Sequence, residues 1–306
     1  MPLFRNQVGI NLTETKLQLV EISHKNDSFY LENVDQLILK ESINPDLPES
    51  KLIAILQDSF TKLNQKNNLT SIYYSFCLPN NFFKIFEVPF EPTLTKKDLV
   101  EHLRWELSVL FPQIDEQNYL VQFVEVNKTS ARQQNKVIVF ALDKNMINCF
   151  NKFCKSNNLE LKYIDNAHLA SNAFLHLSKA FEKNEITLSI YIDQSYSSIA
   201  VIEGVTPFFF KVTNESGLNF LDQLQLLVKQ LEEINIGLNS ISKIILSGQS
   251  VTDDFLSKIS TILNAPITKI NPFDRLKIEE KLNSNRLITS QFNSFTAATG
   301  IAIRII

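Results

Sequence analysis

Two stretches of the chain carry the same succession of apolar and polar positions. Residues 189–193, 198–203 and 208–212 read as strands separated by short polar or Gly- and Pro-containing turns. Apolar residues at helical spacing follow over 218–236, then a strand at 242–246, a helix at 253–263 and a short strand at 267–270. The N-terminal part runs in the same order, with strands at 8–11, 16–22 and 29–39, a helix at 48–66 and a strand at 71–77. In that helix Leu52, Ile53, Leu56, Phe60 and Leu63 share one face, and Pro48-Glu49-Ser50 suits its first turn. A βββαβ unit used twice is an internal duplication and predicts two α/β lobes.

Residues 79–165 interrupt the first copy. A strand at 82–88 leads to a helix capped by Thr95 and running to 110. Strands at 119–126 and 136–142, joined by a polar loop, precede a helix at 145–155 and a strand at 159–164. The order βαββαβ is that of a ferredoxin-like module. A helix over 166–187, with Leu169, Ala173, Leu175 and Leu177, is expected to return the chain to the first lobe. A last helix over 295–305 carries Ala297, Ala298 and Gly300, small enough for close approach to a neighbour, and is expected to close the second lobe. The predicted organisation is therefore a first lobe of 1–78 plus 166–187, an insert of 79–165 and a second lobe of 188–306.

Composition narrows the classes. The chain has 306 residues, 44% hydrophobic and 21% charged, which supports two compact lobes. A formal net charge of −3, with no basic stripe interleaved with aromatics, gives no reason to expect nucleic acid. No run approaches the ~18 apolar residues that cross a bilayer, so direct membrane insertion is not expected. The opening MPLFRNQVGI lacks the parts of a signal peptide. Cys77, Cys149 and Cys154 are an odd set in apolar surroundings, which suits a reducing compartment, the cytoplasm by default. Glycine, at six residues, is far below the usual share of about 7%.

Candidate chemistry is sparse. His102 has only Glu106 at i+4 as a co-ligand, and His168 with His176 lacks a third, so no metal site is expected. Trp105 is expected to pack rather than to stack on a ligand. No catalytic residue is identified.

Particular stretches resemble the type IV pilus assembly protein PilM family, within the actin and sugar-kinase fold. LPNNFFKIFEVPFEPTLTKKDLVEHLRWELSVLFP, residues 78–112, is similar to that family's Leu-Pro, strand ending in Pro, and acidic helix with Trp105-Glu106 and Phe111-Pro112. Val8-Gly9-Ile10 with Leu19-Val20-Glu21, Asn271-Pro272-Phe273 and the ending from Ala298 to Arg304 also match, so the likeness covers nearly the whole chain. It implies an actin-like (ribonuclease H-like) α/β fold with duplicated lobes and an inserted subdomain. It also implies a cytoplasmic component of a pilus or secretion machine, peripheral to the inner membrane through a partner. That partner is the N-terminal cytoplasmic peptide of a PilN-like membrane protein, held in a groove bordered by the insert and the first lobe. Homo-oligomerisation is left open.

The resemblance further implies ATP and Mg²⁺ between the lobes. The positions that correspond are Asn11, Thr13 and Lys16 in the first turn, Asp193 and Ser195 in the second, Gly217 after the third strand, and Gly248, Gln249 and Ser250 in the adenosine turn. The family's first loop is Asp-Ile-Gly, whereas this chain has Asn11-Leu12-Thr13. Gln194 stands for the second loop's glycine, Ser216-Gly217 for paired glycines and Ser247-Gly248-Gln249 for a glycine run. A Cβ obstructs the approach of phosphate oxygens to backbone N–H groups, and Asn11 removes a charge that would help hold Mg²⁺. Weak or absent ATP binding without efficient hydrolysis is the expectation, with a nucleotide-gated switch as the alternative. A small-molecule kinase would need a base carboxylate that is not identified. An FtsA-like division role would need a basic amphipathic membrane helix after the second lobe, and none is read up to Ile306.

Overall fold

The computed structural model describes residues 6–128, 134–173, 175, 185–233, 236–263 and 265–304. The first copy of the duplicated unit forms β1 (Gln7–Leu12), β2 (Lys16–Lys25), β3 (Ser28–Ile38), α1 (Glu49–Asn67) and β4 (Tyr73–Leu78). The second forms β9 (Ile186–Ile192), β10 (Ser197–Glu203), β11 (Thr206–Thr213), α5 (Phe220–Glu233), β12 (Ile241–Gly248), α6 (Asp253–Ile262) and β13 (Ile267–Lys269). In each, the first strand pairs antiparallel with the second and parallel with the fourth. Alternation decides which face is buried, and the central strands, buried on both faces, read as near-continuous apolar runs.

Between the copies lie β5 (Phe83–Pro89), α2 (Lys96–Leu110), β6 (Tyr119–Val126), β7 (Lys136–Asp143), α3 (Lys144–Ser156) and β8 (Glu160–Asn166). Here the expected βαββαβ module differs from the topology. Only β5, β7 and β6 form the small sheet, in that order, while β8 pairs parallel with β4 at the edge of the first lobe's sheet. The physical reason is the face of α3. Cys149, Phe150, Phe153 and Cys154 pack in the core of the first lobe with Tyr74 and Phe76, and the Phe76 and Phe150 rings lie 4.7 Å apart. The α3–β8 pair therefore plays the part that α6–β13 plays in the second copy. The inserted segment shrinks to about 79–143.

That small sheet is covered on both sides. Val137 and Val139 of β7 meet Leu99 and Leu103 of α2, an amphipathic helix capped by Thr95 Oγ1, which accepts from Asp98 N–H. Ile138 and Phe140, pointing the other way, join the core of the second lobe, with Phe140 edge-on to Phe210 at 5.1 Å. Trp105 departs from expectation: it faces away from this core, 58% exposed, and stacks on His102 at 5.9 Å.

The C-terminal part also differs. β14 (Lys277–Ile278) pairs with β3, and α8 (Thr296–Ala302) lies across β1, β2 and β4 after the short α7 (Arg286–Thr289). Phe273, Leu276, Ile288, Phe295, Ala298 and Ala302 bury Val20, Ile22 and Leu31, so this segment completes the first lobe rather than closing the second. The small residues do allow close approach. A Cβ on Gly300 would stand 1.8 Å from the Ala170 carbonyl oxygen, and one on Gly9 2.1 Å from that of Ala298. Gln7 Nε2 donates to the Ile301 carbonyl at 2.9 Å, fixing β1 to α8. Of the helix expected over 166–187, α4 (Ala167–Ser171) is present; Leu177 and His176 lie outside the described residues.

Candidate functional site

The predicted nucleotide residues sit at the ends of β1, β9 and β12 and in the turns that follow them, apart from Gly217, which lies between β11 and α5. The β1–β2 turn is closed by Thr13, whose N–H donates to the Lys16 carbonyl at 2.9 Å and whose hydroxyl accepts the Lys16 N–H at 3.0 Å. The β9–β10 turn is closed by Asp193 N–H donating to the Tyr196 carbonyl at 2.9 Å. These two tips touch one another. Thr15 Oγ1 donates to Gln194 Oε1, and Ser195 Oγ donates to Glu14 Oε2. Gln194, the residue standing for a glycine, thus fills space between the hairpins.

Asp193 is buried. Its Oδ1 accepts the Gln194 N–H at 2.8 Å and its Oδ2 the Tyr196 hydroxyl at 2.9 Å. Burial raises its carboxyl to about 6, the two hydrogen bonds oppose that rise, Glu14 adds to it and Lys16 counters it. Glu14, Lys16 and Asp193 are therefore one electrostatic group. Ser216, just before Gly217, donates its hydroxyl to the Asp193 carbonyl. Gly217 has φ +56°, and a Cβ there would meet nothing within 4 Å, so its glycine answers to backbone conformation and not to space.

The turn after β12 is tied down. Gln249 and Ser250 direct their N–H groups to the Ile192 carbonyl at 2.8 and 3.3 Å. Gly248 has φ +104°, and a Cβ there would stand 2.2 Å from that same oxygen. Asn293 Nδ2 donates to the Gly248 carbonyl at 3.0 Å, and Gln18 Nε2 to Ser294 Oγ at 3.0 Å, so the segment before α8 bridges both lobes. Asn11 Nδ2 donates to Gln18 Oε1 at 3.0 Å, whereas its buried Oδ1 has no hydrogen-bond partner among the described residues. The backbone donors of Gln249 and Ser250 are thus engaged internally and the two hairpin tips are hydrogen-bonded to one another, whereas the buried Gln249 side-chain amide has no hydrogen-bond partner among the described residues.

The sequence had singled out Thr13, Lys16, Asp193 and Ser195, which the fold does bring together, with Gly248, Gln249 and Ser250 adjoining them across β9. Glu14, Thr15, Gln18, Tyr196 and Asn293 were missed as contact residues; the substitution at Gln194 was the only signal pointing to that contact. His168 is a core residue, its ring nitrogens 2.8 and 3.0 Å from Ser198 Oγ and Ser189 Oγ, and burial lowers it to about 3. His102 pairs with Glu106 at 3.6 Å on α2. The three cysteines are free and buried. Among the described residues no helix is long and apolar enough to cross a membrane.

A second concavity of about 660 Å³ lies between the small sheet and the first lobe, walled by Leu120, Phe123 and Phe140 on one side and Ile147, Leu161 and Ile164 on the other. Among the described residues β6 and β8 each end their sheets here, so two strand edges border it. Leu120 is 42% exposed, and Asp165 and Arg304, paired with each other, stand at one end.

No protein-family model matches the chain, and no curated protein matches it at a significant level. Among solved structures it is similar to a protein of Bacteroides thetaiotaomicron described as having an actin-like ATPase fold and unknown function, with TM-score 0.54, 13% identity, and coverage of 94% of this chain and 96% of that one. The fold is that of the actin-like ATPases. The chain is also similar, over its whole fold, to one in a PilM-PilN type IV pilus biogenesis complex, with TM-score 0.75 and 19% identity over 99% of both chains.

Proposed function

We propose that this protein is an actin-like scaffold of a type IV pilus or related secretion machine. It works in the cytoplasm and is held at the inner membrane by the N-terminal peptide of a PilN-like protein. The observation that supports this is the end-to-end likeness to a chain of a PilM-PilN complex. The groove between β6 and β8 is the peptide site in this reading: apolar side chains line it, and two strand edges offer backbone partners to an extended segment. The nucleotide site is degenerate in the same reading, because its hairpin tips are hydrogen-bonded to one another.

Calorimetric titration tests both parts, using a synthetic peptide of the cytoplasmic N-terminus of a PilN-like protein and, separately, Mg-ATP. Peptide binding is expected, with weak or no heat from Mg-ATP; tight Mg-ATP binding without peptide binding would sink the proposal. Leu120→Asp puts a charge on the groove wall and is expected to weaken the peptide at least about tenfold, the equivalent of ~1.4 kcal/mol, with an unchanged melting temperature. One observation favours a second reading, a nucleotide-gated switch: Gly248 keeps the positive φ of a tight turn beside buried Asp193. A thermal shift on adding Mg-ATP, abolished by Asp193→Ala, would support the switch, and an unmoved melting temperature at millimolar nucleotide would remove it.

A further inference from the structure

Glu14 occupies an unusual place for a turn residue. Its backbone is braced, the carbonyl accepting the Ile43 N–H at 2.8 Å while the neighbouring Thr15 carbonyl accepts the Leu39 N–H at 2.8 Å. Its side chain reaches from the braced turn to residues outside the first lobe. Oε2 accepts the hydroxyl of Ser195 on the second lobe at 2.5 Å, and Oε1 the Asn81 Nδ2 at 3.4 Å, at the start of the insert. One carboxylate therefore touches all three parts of the molecule. It lies between the two hairpin tips, within electrostatic reach of Asp193 and Lys16. The adjacent Thr15–Gln194 hydrogen bond runs in parallel.

We propose that Glu14 is a built-in anion: its carboxylate takes the place that a phosphate group would hold between the hairpins, and clasps the lobes and the insert in the closed arrangement without a bound ligand. The argument is one of chemistry and position. A phosphate between such tips would be recognised by hydroxyl and amide donors carried on opposite lobes. The Glu14 carboxylate accepts from a hydroxyl on one side and an amide on the other, and it is attached to the chain, so no ligand entropy opposes the contact. The inference deepens the degenerate-site reading above and rests on it.

Spin labels on Lys62→Cys in α1 and Ser257→Cys in α6 report the distance between lobes; both positions are exposed, and the native cysteines are buried away from the label. The parent is expected to give one narrow distance distribution that inorganic phosphate at millimolar concentration leaves unchanged. Glu14→Ala is expected to broaden it by releasing the clasp, and the same phosphate is expected to narrow it again. Glu14→Gln, which keeps one acceptor oxygen, should fall between. An unchanged distribution in Glu14→Ala overturns the clasp, and a broadened one that phosphate leaves broad overturns the anion role. Circular dichroism of each variant establishes that it folds. Tight Mg-ATP binding by the parent in calorimetry would instead defeat the degenerate-site reading, a result read independently of the distances.

Discussion

At the residue scale, two buried titratable groups act in opposite directions. Asp193 is raised by burial from 3.8 to about 6, so its contribution to stability is complete below 3.8 and is lost as pH rises through about 6. His168 is lowered by burial from 6.5 to about 3, so its contribution is present above 6.5 and is lost as pH falls toward 3. Across the shared interval, folding binds a proton at Asp193 and releases one at His168, and their effects on the slope cancel. Asp193→Asn removes one side of that balance. The variant is expected to be more stable than the parent at pH 7 by about 3 kcal/mol, and to lose about 1.4 kcal/mol relative to it for each pH unit of acidification through the interval. Urea titrations of both chains at a series of pH values check this; equal stability at pH 7 would contradict it. Asp193 was legible in the sequence as a strand-ending acid. Its ionisation was not, because the burial that raises its carboxyl exists only in the folded chain.

At the scale of elements, helix α8 depends on the absence of side chains. Its Gly300 lies against the α4 backbone, where a Cβ would stand 1.8 Å from an oxygen that cannot move without displacing the helix. Gly300→Val is expected to cost about 3 kcal/mol or more by overpacking, read from the denaturation midpoint. Loss of a cap is a milder change: Thr95→Ala removes the acceptor for Asp98 N–H at the start of α2 and should cost about 1 kcal/mol. Strand and helix positions were mostly legible, since period-two and helical spacings are local properties of the chain. The partners of those elements were less so. The sequence order β5-α2-β6-β7-α3-β8 suits a separate βαββαβ module, yet Phe150 and Phe153 find a larger apolar face on β4 than the small sheet offers, and β8 follows them. Trp105 illustrates the same limit, because three leucines at i, i+4 and i+8 already fill the buried stripe of α2.

At the scale of the whole molecule, the first lobe is assembled from both ends of the chain. Residues beyond 270 supply β14 and α8, and with them the cover for Val20, Ile22 and Leu31. A chain ending at residue 269 is therefore expected to expose that apolar face and to aggregate or lose its cooperative unfolding transition. Addition of a 270–304 fragment should restore the transition, as followed by near-ultraviolet circular dichroism. A soluble, cooperatively melting 1–269 chain would show that the two ends are not interdependent. The same architecture accounts for the candidate sites. The insert's sheet is sandwiched between α2 and β11, so the groove along β6 is held at a fixed position relative to both lobes.

The sequence by itself determined the doubled βββαβ pattern, most element positions and the scarcity of glycine in the hairpin turns, because each is written in local spacing or in single residue identities. Only the tertiary structure decided which sheet receives β8, which lobe α8 completes, and that Glu14 and Gln194 meet Ser195 and Thr15 between the hairpins. Those outcomes rest on competition among apolar faces and on polar side chains about 180 residues apart in sequence, and no local pattern records either.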